Sequence, residues 1–354
     1  MENYIKKVTE VYMKRQLAVL TAPKKIEIIE EELPRLQPDQ VLYRVISGGL
    51  CHSEIPCYLG KCCTGPNKYP YTSFIPEISY PRGVGHEPVC MVEDVGSAVK
   101  KFAVGDIVTG HISRAFATHL ITGTQGLVKI PDTNKRKDFC LGEPLSCISN
   151  IVRAVQPEYG DNIAVIGCGV MGLLAISALS GHALQNLIAI DLDDSRLQEA
   201  KLYGATKTIN SLNQDAEAVI YELTNGKGVD AVIELSGSFK AFGTALSIIR
   251  IPERYGSRGR GKIIVGSVYA KADTWEPEMG YNMMLRVPEI HSVHPMYSRD
   301  LEEDVYRAVQ GYVNDTLPID KMISHVYNFE DISKGFEDLN TKNPLFKKGV
   351  VLFK

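Results

Sequence analysis

Apolar residues follow two rhythms along the chain, and the change between them divides it. Residues 17–46 read as strands, in the short β-branched runs LAVL, KIEIIE and QVLYRVI, broken at Pro23, Pro34 and Pro38. Brief apolar runs bounded by proline and glycine are strand signals. Residues 83–110 repeat the texture in PVCMVEDVG and VGDIV, and residues 116–130 complete an all-β region. Residues 56–82 interrupt it with a stretch rich in proline and tyrosine. That composition predicts a long irregular loop, a kind of segment that often carries function.

Near residue 143 the period changes. Leu145 to Val155 reads as a helix after Glu143 and Pro144. NIAVIG is a fully apolar strand, residues 170–181 an apolar helix, LIAID a second strand and residues 194–203 an amphipathic helix. VDAVIELSG and KIIVGSV add further strands. Strands alternating with helices predict a parallel sheet, and uniformly apolar strands suit one covered on both faces. From about residue 295 the texture is mixed: a helix at 300–313, a strand and a helix starting near Glu330 within HVYNFEDISKGFEDL, and the closing strand KKGVVLFK. The expected architecture is α/β, a Rossmann doubly wound parallel sheet inserted into a β-rich domain. The expected division gives residues 1–150 and 295–354 to the β-rich domain and 151–294 to the nucleotide-binding domain.

A chain of 354 residues, 44% hydrophobic and 23% charged, can bury two cores without disulfide or metal staples. Its formal net charge of −3 gives no basic surface for nucleic acid. No apolar run reaches the roughly 18 residues of a membrane span. The segment Met1 to Arg15 is too charged for a signal peptide. Cytoplasmic residence is therefore expected. All eight cysteines lie at or before Cys168, a crowding that suits thiols and metal ligands better than a disulfide framework.

Two motifs carry chemistry. Gly167-Cys168-Gly169-Val170-Met171-Gly172 follows the strand NIAVI and opens a helix. In that setting G-x-G-x-x-G allows a tight turn at Gly167, approach of a pyrophosphate at Gly169 and close helix packing at Gly172. The helix start at Val170 and Met171 offers free N–H groups to the anion. Asp191, nineteen residues after Gly172, ends the second strand, where a carboxylate binds ribose hydroxyls and repels a 2′-phosphate. The cofactor expected is NAD rather than NADP, with Arg196 in the next helix a further contact. The second motif is dispersed. Gly49-Leu50-Cys51-His52-Ser53-Glu54, Gly85-His86-Glu87 and Gly142-Glu143-Pro144-Leu145 supply thiolate, imidazole and carboxylate, which suit zinc. The spacing of 35 residues from Cys51 to His86 excludes a local zinc knuckle and predicts a site assembled from separate loops.

The order of these segments, with V-G-D-I-V between them, resembles the medium-chain zinc-dependent alcohol dehydrogenases from about residue 17 to the end. The E-P-L segment is similar to the sorbitol, polyol and threonine dehydrogenase branch. The resemblance implies that the β-rich domain is GroES-like and that Cys51 and His86 bind one catalytic zinc. Either Glu87 or Glu143 completes the inner set. Ser53 matches the hydroxyl that passes the substrate proton outward. Glu54 stands where the family has an aspartate beside the ligand histidine. It implies oxidation of a secondary alcohol, with zinc acidifying the hydroxyl and NAD taking the hydride. A polyol, sugar or cyclitol is the expected substrate. Threonine or a small diol, an epimerase or lyase with tightly held NAD, and a non-catalytic NAD-binding protein are the alternatives.

Several features depart from the family. No cysteine lies between Cys90 and Cys140, so the lobe that holds a second, structural zinc in many relatives is expected to be deleted. Cys57, Cys62 and Cys63 have the wrong spacing to replace it and are expected to be free thiols. Residues 61–80 and Arg250 to Arg260 read as insertions, with Tyr69, Tyr71 and Tyr80 candidates for a substrate entrance. Pro56 occupies the position of a relay histidine. A homo-oligomer, dimer or tetramer, is implied through the strands near 262–290, with Trp275 and Met279 to Met284 as candidate contacts.

Overall fold

The computed structural model describes residues 13–60, 80–252, 261–267, 274–294, 298–341, 343 and 345–354. Cys62, Cys63, Tyr69, Tyr71 and Arg254, Arg258 and Arg260 of the two expected insertions lie outside the described residues. The chain forms two compact units, one of residues 1–131 and 325–354, the other of residues 132–324.

The first unit opens with β1 (Lys14–Ala22), β2 (Lys25–Glu32) and β3 (Val41–Gly49). A short helix α1 (Ile55–Tyr58) follows, with Pro56 in its first turn. Next come β4 (Arg82–Gly83), β5 (Glu87–Val95), β6 (Ile107–Gly110), β7 (His119–Thr122) and β8 (Leu127–Lys129). Only residues 111–118 separate β6 from β7, and Ala115, Phe116 and Ala117 there are fully buried. The chain has no room at that point for a metal-binding lobe.

The second unit starts with α2 (Gly142–Val155) and alternates β9 (Asn162–Ile166), α3 (Val170–Leu179), β10 (Asn186–Asp191), α4 (Asp194–Leu202), β11 (Lys207–Asn210), α5 (Ala216–Leu223), β12 (Ala231–Glu234), α6 (Phe239–Ile248) and β13 (Lys262–Val265). It ends with α7 (Pro277–Arg286), β14 (Glu289–Ser292) and α8 (Leu301–Val313). The chain then returns to the first unit with β15 (Ile323–Asn328), α9 (Ile332–Asn340) and β16 (Lys348–Leu352).

The strands of the second unit form a six-stranded sheet in the order β11-β10-β9-β12-β13-β14, every pair parallel. The order reverses direction beside β9, which places a topological switch point there, the usual binding crevice of a doubly wound sheet. The strand residues of β9 are buried throughout, as the apolar run requires of a sheet covered on both faces. In the first unit, a larger sheet runs β15-β16-β3-β5-β6-β8 with β7 on β3, beside a three-stranded sheet β2-β1-β4. Its core gathers Tyr43, Val45, Val92, Val108 and Leu120.

The division differs from the expected one at both crossings. The expected boundaries at 150 and 295 fall inside the second unit, because α2 packs against α8. The Arg153 guanidinium pairs with the buried Asp304 carboxylate, and Ser149 Oγ donates to Asp304 O at 3.1 Å. The α7 surface also differs from expectation. Met279 is buried against the Phe242 core, whereas Trp275, Met283 and Met284 are exposed.

Candidate functional site

Strand register brings the dispersed donors together. β3 and β5 run antiparallel, with Gly49 opposite Glu87. Cys51 lies two residues beyond Gly49, and His86 immediately precedes Glu87. A 35-residue separation in sequence thus collapses to neighbouring positions on adjacent strands. Donor atoms of Cys51, His86 and Glu87 all lie within 4.8 Å of one another. Gly85 makes the entry to β5 possible. Its φ of +91° lies in the left-handed region, and a Cβ there would meet Phe116 at 2.6 Å.

The surroundings of the three donors are polar and specific. Ser53 Oγ donates to Cys51 Sγ at 3.2 Å from an exposed position. Glu54 Oε1 accepts the Gly85 N–H at 2.7 Å and lies 3.8 Å from His86 Nδ1. The longer side chain that stands in place of aspartate therefore spends its hydrogen bond on the strand entry, with His86 only within ion-pair range. Burial disfavours the charged His86 imidazole, but hydrogen bonding to Cys51 and the nearby Cys51 and Glu54 charges outweigh it and push its pKa up to about 12. The ring of His111 lies 5.8 Å from that of His86, centroid to centroid. His52 points to an exposed position.

Glu87 is almost fully buried, and so is its partner Lys348 on β16. Lys348 Nζ donates to Glu87 Oε1 at 2.8 Å and to Leu50 O at 3.0 Å. It also lies 2.5 Å from Glu87 Oε2, so one ammonium faces both oxygens of the buried carboxylate. One thiol, one imidazole and one such carboxylate match the donor set of a catalytic zinc with an open fourth position. The residues fit the ion.

The other described cysteines, Cys57, Cys90, Cys140, Cys147 and Cys168, are in no disulfide. Cys90 and Cys140 are buried and their pKa values are raised by desolvation. Arg82 Nη1 donates to Cys57 Sγ at 3.5 Å. Among the described residues, Cys51, His86 and Glu87 are the cluster with metal-ligand geometry. Glu143 belongs to the second unit, where it is buried in the first turn of α2 at 6% exposure.

The second candidate site lies wholly in the second unit. Gly167 ends β9 with φ +91°, and a Cβ there would meet Ser236 N at 2.7 Å. Gly169 is the N-cap of α3, and a Cβ there would have nothing within 4 Å. Gly172 lies over Gly167, where a Cβ would stand 1.9 Å from the Gly167 carbonyl oxygen. The three glycines thus serve turn, open approach and close packing respectively. Val170 and Met171 form the first turn of α3, both partly exposed. Asp191 at the end of β10 accepts the Cys168 N–H at 2.6 Å on Oδ2, and the Leu192 and Asp193 N–H groups at 2.7 and 3.0 Å on Oδ1. Its carboxylate is held rigidly beside the glycine loop. Burial and the nearby Asp191 charge push the Cys168 thiol up to about 12, so it stays protonated. Arg196 lies in the first turn of α4, partly exposed.

Comparison with known proteins agrees with both halves. Residues 37–132 match the alcohol dehydrogenase GroES-like domain, and residues 170–263 match the zinc-binding dehydrogenase domain. An L-threonine 3-dehydrogenase of Caldanaerobacter subterraneus subsp. tengcongensis is 30% identical over 64% of this chain and 73% of its own length. The chain belongs to the medium-chain zinc-dependent alcohol dehydrogenase family. Within that family, sorbitol dehydrogenase of Bacillus subtilis is 25% identical over 85% of this chain and 95% of its own. The crystal structure of 2R,3R-butanediol dehydrogenase from Bacillus subtilis superposes with a TM-score of 0.76 at 25% identity, covering 96% of this chain and 99% of that one. The chain is accordingly an oxidoreductase of the alcohol dehydrogenase type with a Rossmann sheet and a GroES-like unit. No helix among the described residues is long and apolar enough to cross a membrane.

Sequence reasoning missed Lys348 and His111. Lys348 had a signal, a lysine inside the apolar run KKGVVLF, where a buried charge needs a partner. His111 follows the V-G-D-I-V strand closely, and nothing in its local pattern separates it from a surface histidine.

Proposed function

We propose that this chain is an NAD-dependent, zinc-containing dehydrogenase of a polar secondary alcohol, with a polyol, sugar or cyclitol as substrate. The observation that carries this reading is the convergence of Cys51, His86 and Glu87 on one point. Of the two carboxylates left open by the sequence, the proposal takes Glu87, because it converges with the thiol and imidazole inside one unit. Zinc held there would act as the Lewis acid toward the alcohol, and NAD would accept the hydride. Ser53 relays the alcohol's proton: its exposed Oγ accepts that proton as its own hydroxyl proton passes to water. Glu54 fixes the strand entry that aims His86. Gly167, Gly169, Val170, Met171 and Gly172 cradle the pyrophosphate at the α3 N-terminus, Asp191 takes the ribose hydroxyls, and Arg196 supports that edge. The polyol class rests on the E-P-L motif and on the sorbitol dehydrogenase relative. Threonine and small diols follow from the other relatives and form the second arm of the test.

The test is NADH formation against a panel of polyols, cyclitols, threonine and vicinal diols. Reduction of NAD with a polyol or cyclitol is expected. Turnover of threonine or butanediol alone would replace the substrate class, and NAD binding without turnover of any member would favour a non-catalytic role.

Cofactor choice has its own test. Asp191→Asn removes the charge and keeps one acceptor oxygen, enough for the Leu192 and Asp193 N–H groups but not also for Cys168 N–H. Hydrogen bonds to charged groups are worth about 1.5–3 kcal/mol, so kcat/KM with NAD should fall about 10–100-fold while that with NADP rises. An unchanged NAD to NADP ratio would remove Asp191 from cofactor selection.

The reading also includes self-association through the β14 edge. Ile290 on β14 and Met284 on the preceding helix α7 are exposed at 40% and 65%, apolar side chains at and before an edge strand that proteins normally cover. Light scattering should give an oligomer for the native chain and a monomer for the Met284→Asp, Ile290→Lys double variant. A monomeric native chain would contradict the assignment.

A further inference from the structure

A polar cavity of about 340 Å³ lies in the first unit, with Arg15, His111, Ser113, Arg114, Thr122 and Gln125 in its lining. His111 links it to the metal donors, since its ring is 5.8 Å from that of His86. Backbone bonding keeps the two regions together. Ala115 N donates to Gly85 O at 3.0 Å, so the short connection from β6 to β7 runs alongside the entry to β5 that carries His86. Two local features put Arg114 there. Its φ of +61° lies in the left-handed region, which residues with a side chain seldom occupy. Its side chain lies against Gly83, where a Cβ would stand 2.7 Å from Arg114 Cγ and Nε. Backbone outliers of this kind gather at ligand clamps. Arg15 and Arg114 share a single counter-ion. Arg15 Nε donates to Glu31 Oε1 at 2.7 Å, and Arg114 Nη2 lies 3.2 and 3.4 Å from the two Glu31 oxygens. Burial raises the Glu31 pKa, but the two arginines outweigh it and hold the carboxyl below its usual range. The neighbouring Glu93 is matched by Arg44 at 3.1 Å. Two guanidiniums against one carboxylate leave a positive charge in surplus at the cavity.

We propose that this cavity receives a phosphate monoester carried by the alcohol that the metal site oxidises. The substrate is then a phosphorylated polyol or sugar rather than a free one. Arginine's planar fork matches phosphate oxygens, and the Arg114 side chain is half exposed to present it. Ser113, Thr122 and Gln125 add hydroxyl and amide donors. Ser113 Oγ lies 3.3 Å from His111 Nε2, which ties the anion end of the cavity to the ring beside His86. A free polyol has no group to use the surplus charge. A phosphate monoester carries nearly two negative charges at neutral pH and three acceptor oxygens, so it matches both the charge and the donors. The cavity's volume is at the lower end for small-molecule sites, enough for a phosphate and part of a short carbon chain. A grip on the far end of the substrate spends remote binding energy on holding the reacting carbon at the metal.

This inference rests on the dehydrogenase reading above and refines its substrate, and the experiment separates the two. Sorbitol and erythritol would be compared with their terminal phosphate monoesters as sources of NADH with the zinc-loaded chain. kcat/KM for the esters is expected to exceed that for the free polyols by about 10–100-fold, the range for one or two charge-assisted hydrogen bonds. The preference should shrink as ionic strength rises. Arg114→Asn suits the left-handed backbone and removes the charge, so the ratio of ester to free polyol should fall about tenfold or more, mainly through KM. Arg114→Lys keeps the charge without the fork and should fall between the two. Arg15→Gln tests the other guanidinium and serves as the reading if Arg114→Asn folds poorly. Titration calorimetry with the esters reads binding without turnover. Oxidation of free polyols with no preference for the esters, or a preference that both arginine variants keep, would overturn the inference and leave the dehydrogenase reading standing. Inorganic phosphate that speeds turnover of free polyols, with the esters inert, would make the cavity an effector site and also overturn it. Failure to oxidise any of these alcohols, with Arg114-dependent ester binding intact, would instead overturn the dehydrogenase reading.

Discussion

Cys51→Ser and His86→Ala chains should fold, bind NAD and retain almost no zinc. Each replaces one of the three donors that meet within 4.8 Å, and serine or alanine offers no comparable ligand at neutral pH. Even outer-shell changes cost about 10–100-fold in metal affinity, so loss of a direct donor should exceed that range. Alcohol oxidation should fall with the metal, because nothing else among the described residues of the site can acidify an alcohol hydroxyl. Cys51 and His86 are only partly buried, and both lie where a strand ends or begins. The fold should therefore tolerate the changes, and the NAD site, built wholly in the second unit, should keep its affinity. Mass spectrometry for metal and a fluorescence titration with NADH make the two readings. Full zinc content in either variant would sink the donor assignment.

The glycine loop gives the second large effect, through a contrast between two neighbours. A side-chain carbon at Gly172 would stand 1.9 Å from the Gly167 carbonyl oxygen, a backbone atom that cannot rotate away. Gly172→Ala must push α3 off β9. Overpacking of this sort costs roughly 1–3 kcal/mol, and the upper end corresponds to a melting temperature lower by about 5–10 °C. At Gly169 nothing lies within 4 Å and φ is −69°, so Gly169→Val should leave the melting temperature nearly unchanged. Its side chain would instead fill the space a pyrophosphate needs at the helix N-terminus. NAD affinity should drop about 10–100-fold, the range for one or two lost hydrogen bonds to a charged group. Native NAD affinity in Gly169→Val would mean the loop does not hold the cofactor.

These contrasts show what local pattern conveys and what it omits. The period change near residue 143 and the apolar strands of the second unit were legible because each is a property of ten or so consecutive residues. The G-x-G-x-x-G motif was legible for the same reason, with strand, turn and helix contiguous. The domain crossings were not, because α2 and α8, which begin at Gly142 and Leu301, are far apart in sequence and declare themselves only by packing together. Met279 reads like its neighbours Met283 and Met284 in sequence, and only the direction of the α7 face toward Phe242 separates them. The metal donors were legible as residue types, while their convergence depends on the β3–β5 register. Lys348 lies 261 residues from Glu87, and no local pattern links them.

Zinc content of the purified native chain, measured by mass spectrometry on the same sample that is assayed for NADH formation with polyols, tests the central claim most directly. About one zinc per chain is expected, with activity lost on chelation and restored by zinc. A folded chain that binds NAD but neither retains nor rebinds zinc would contradict it.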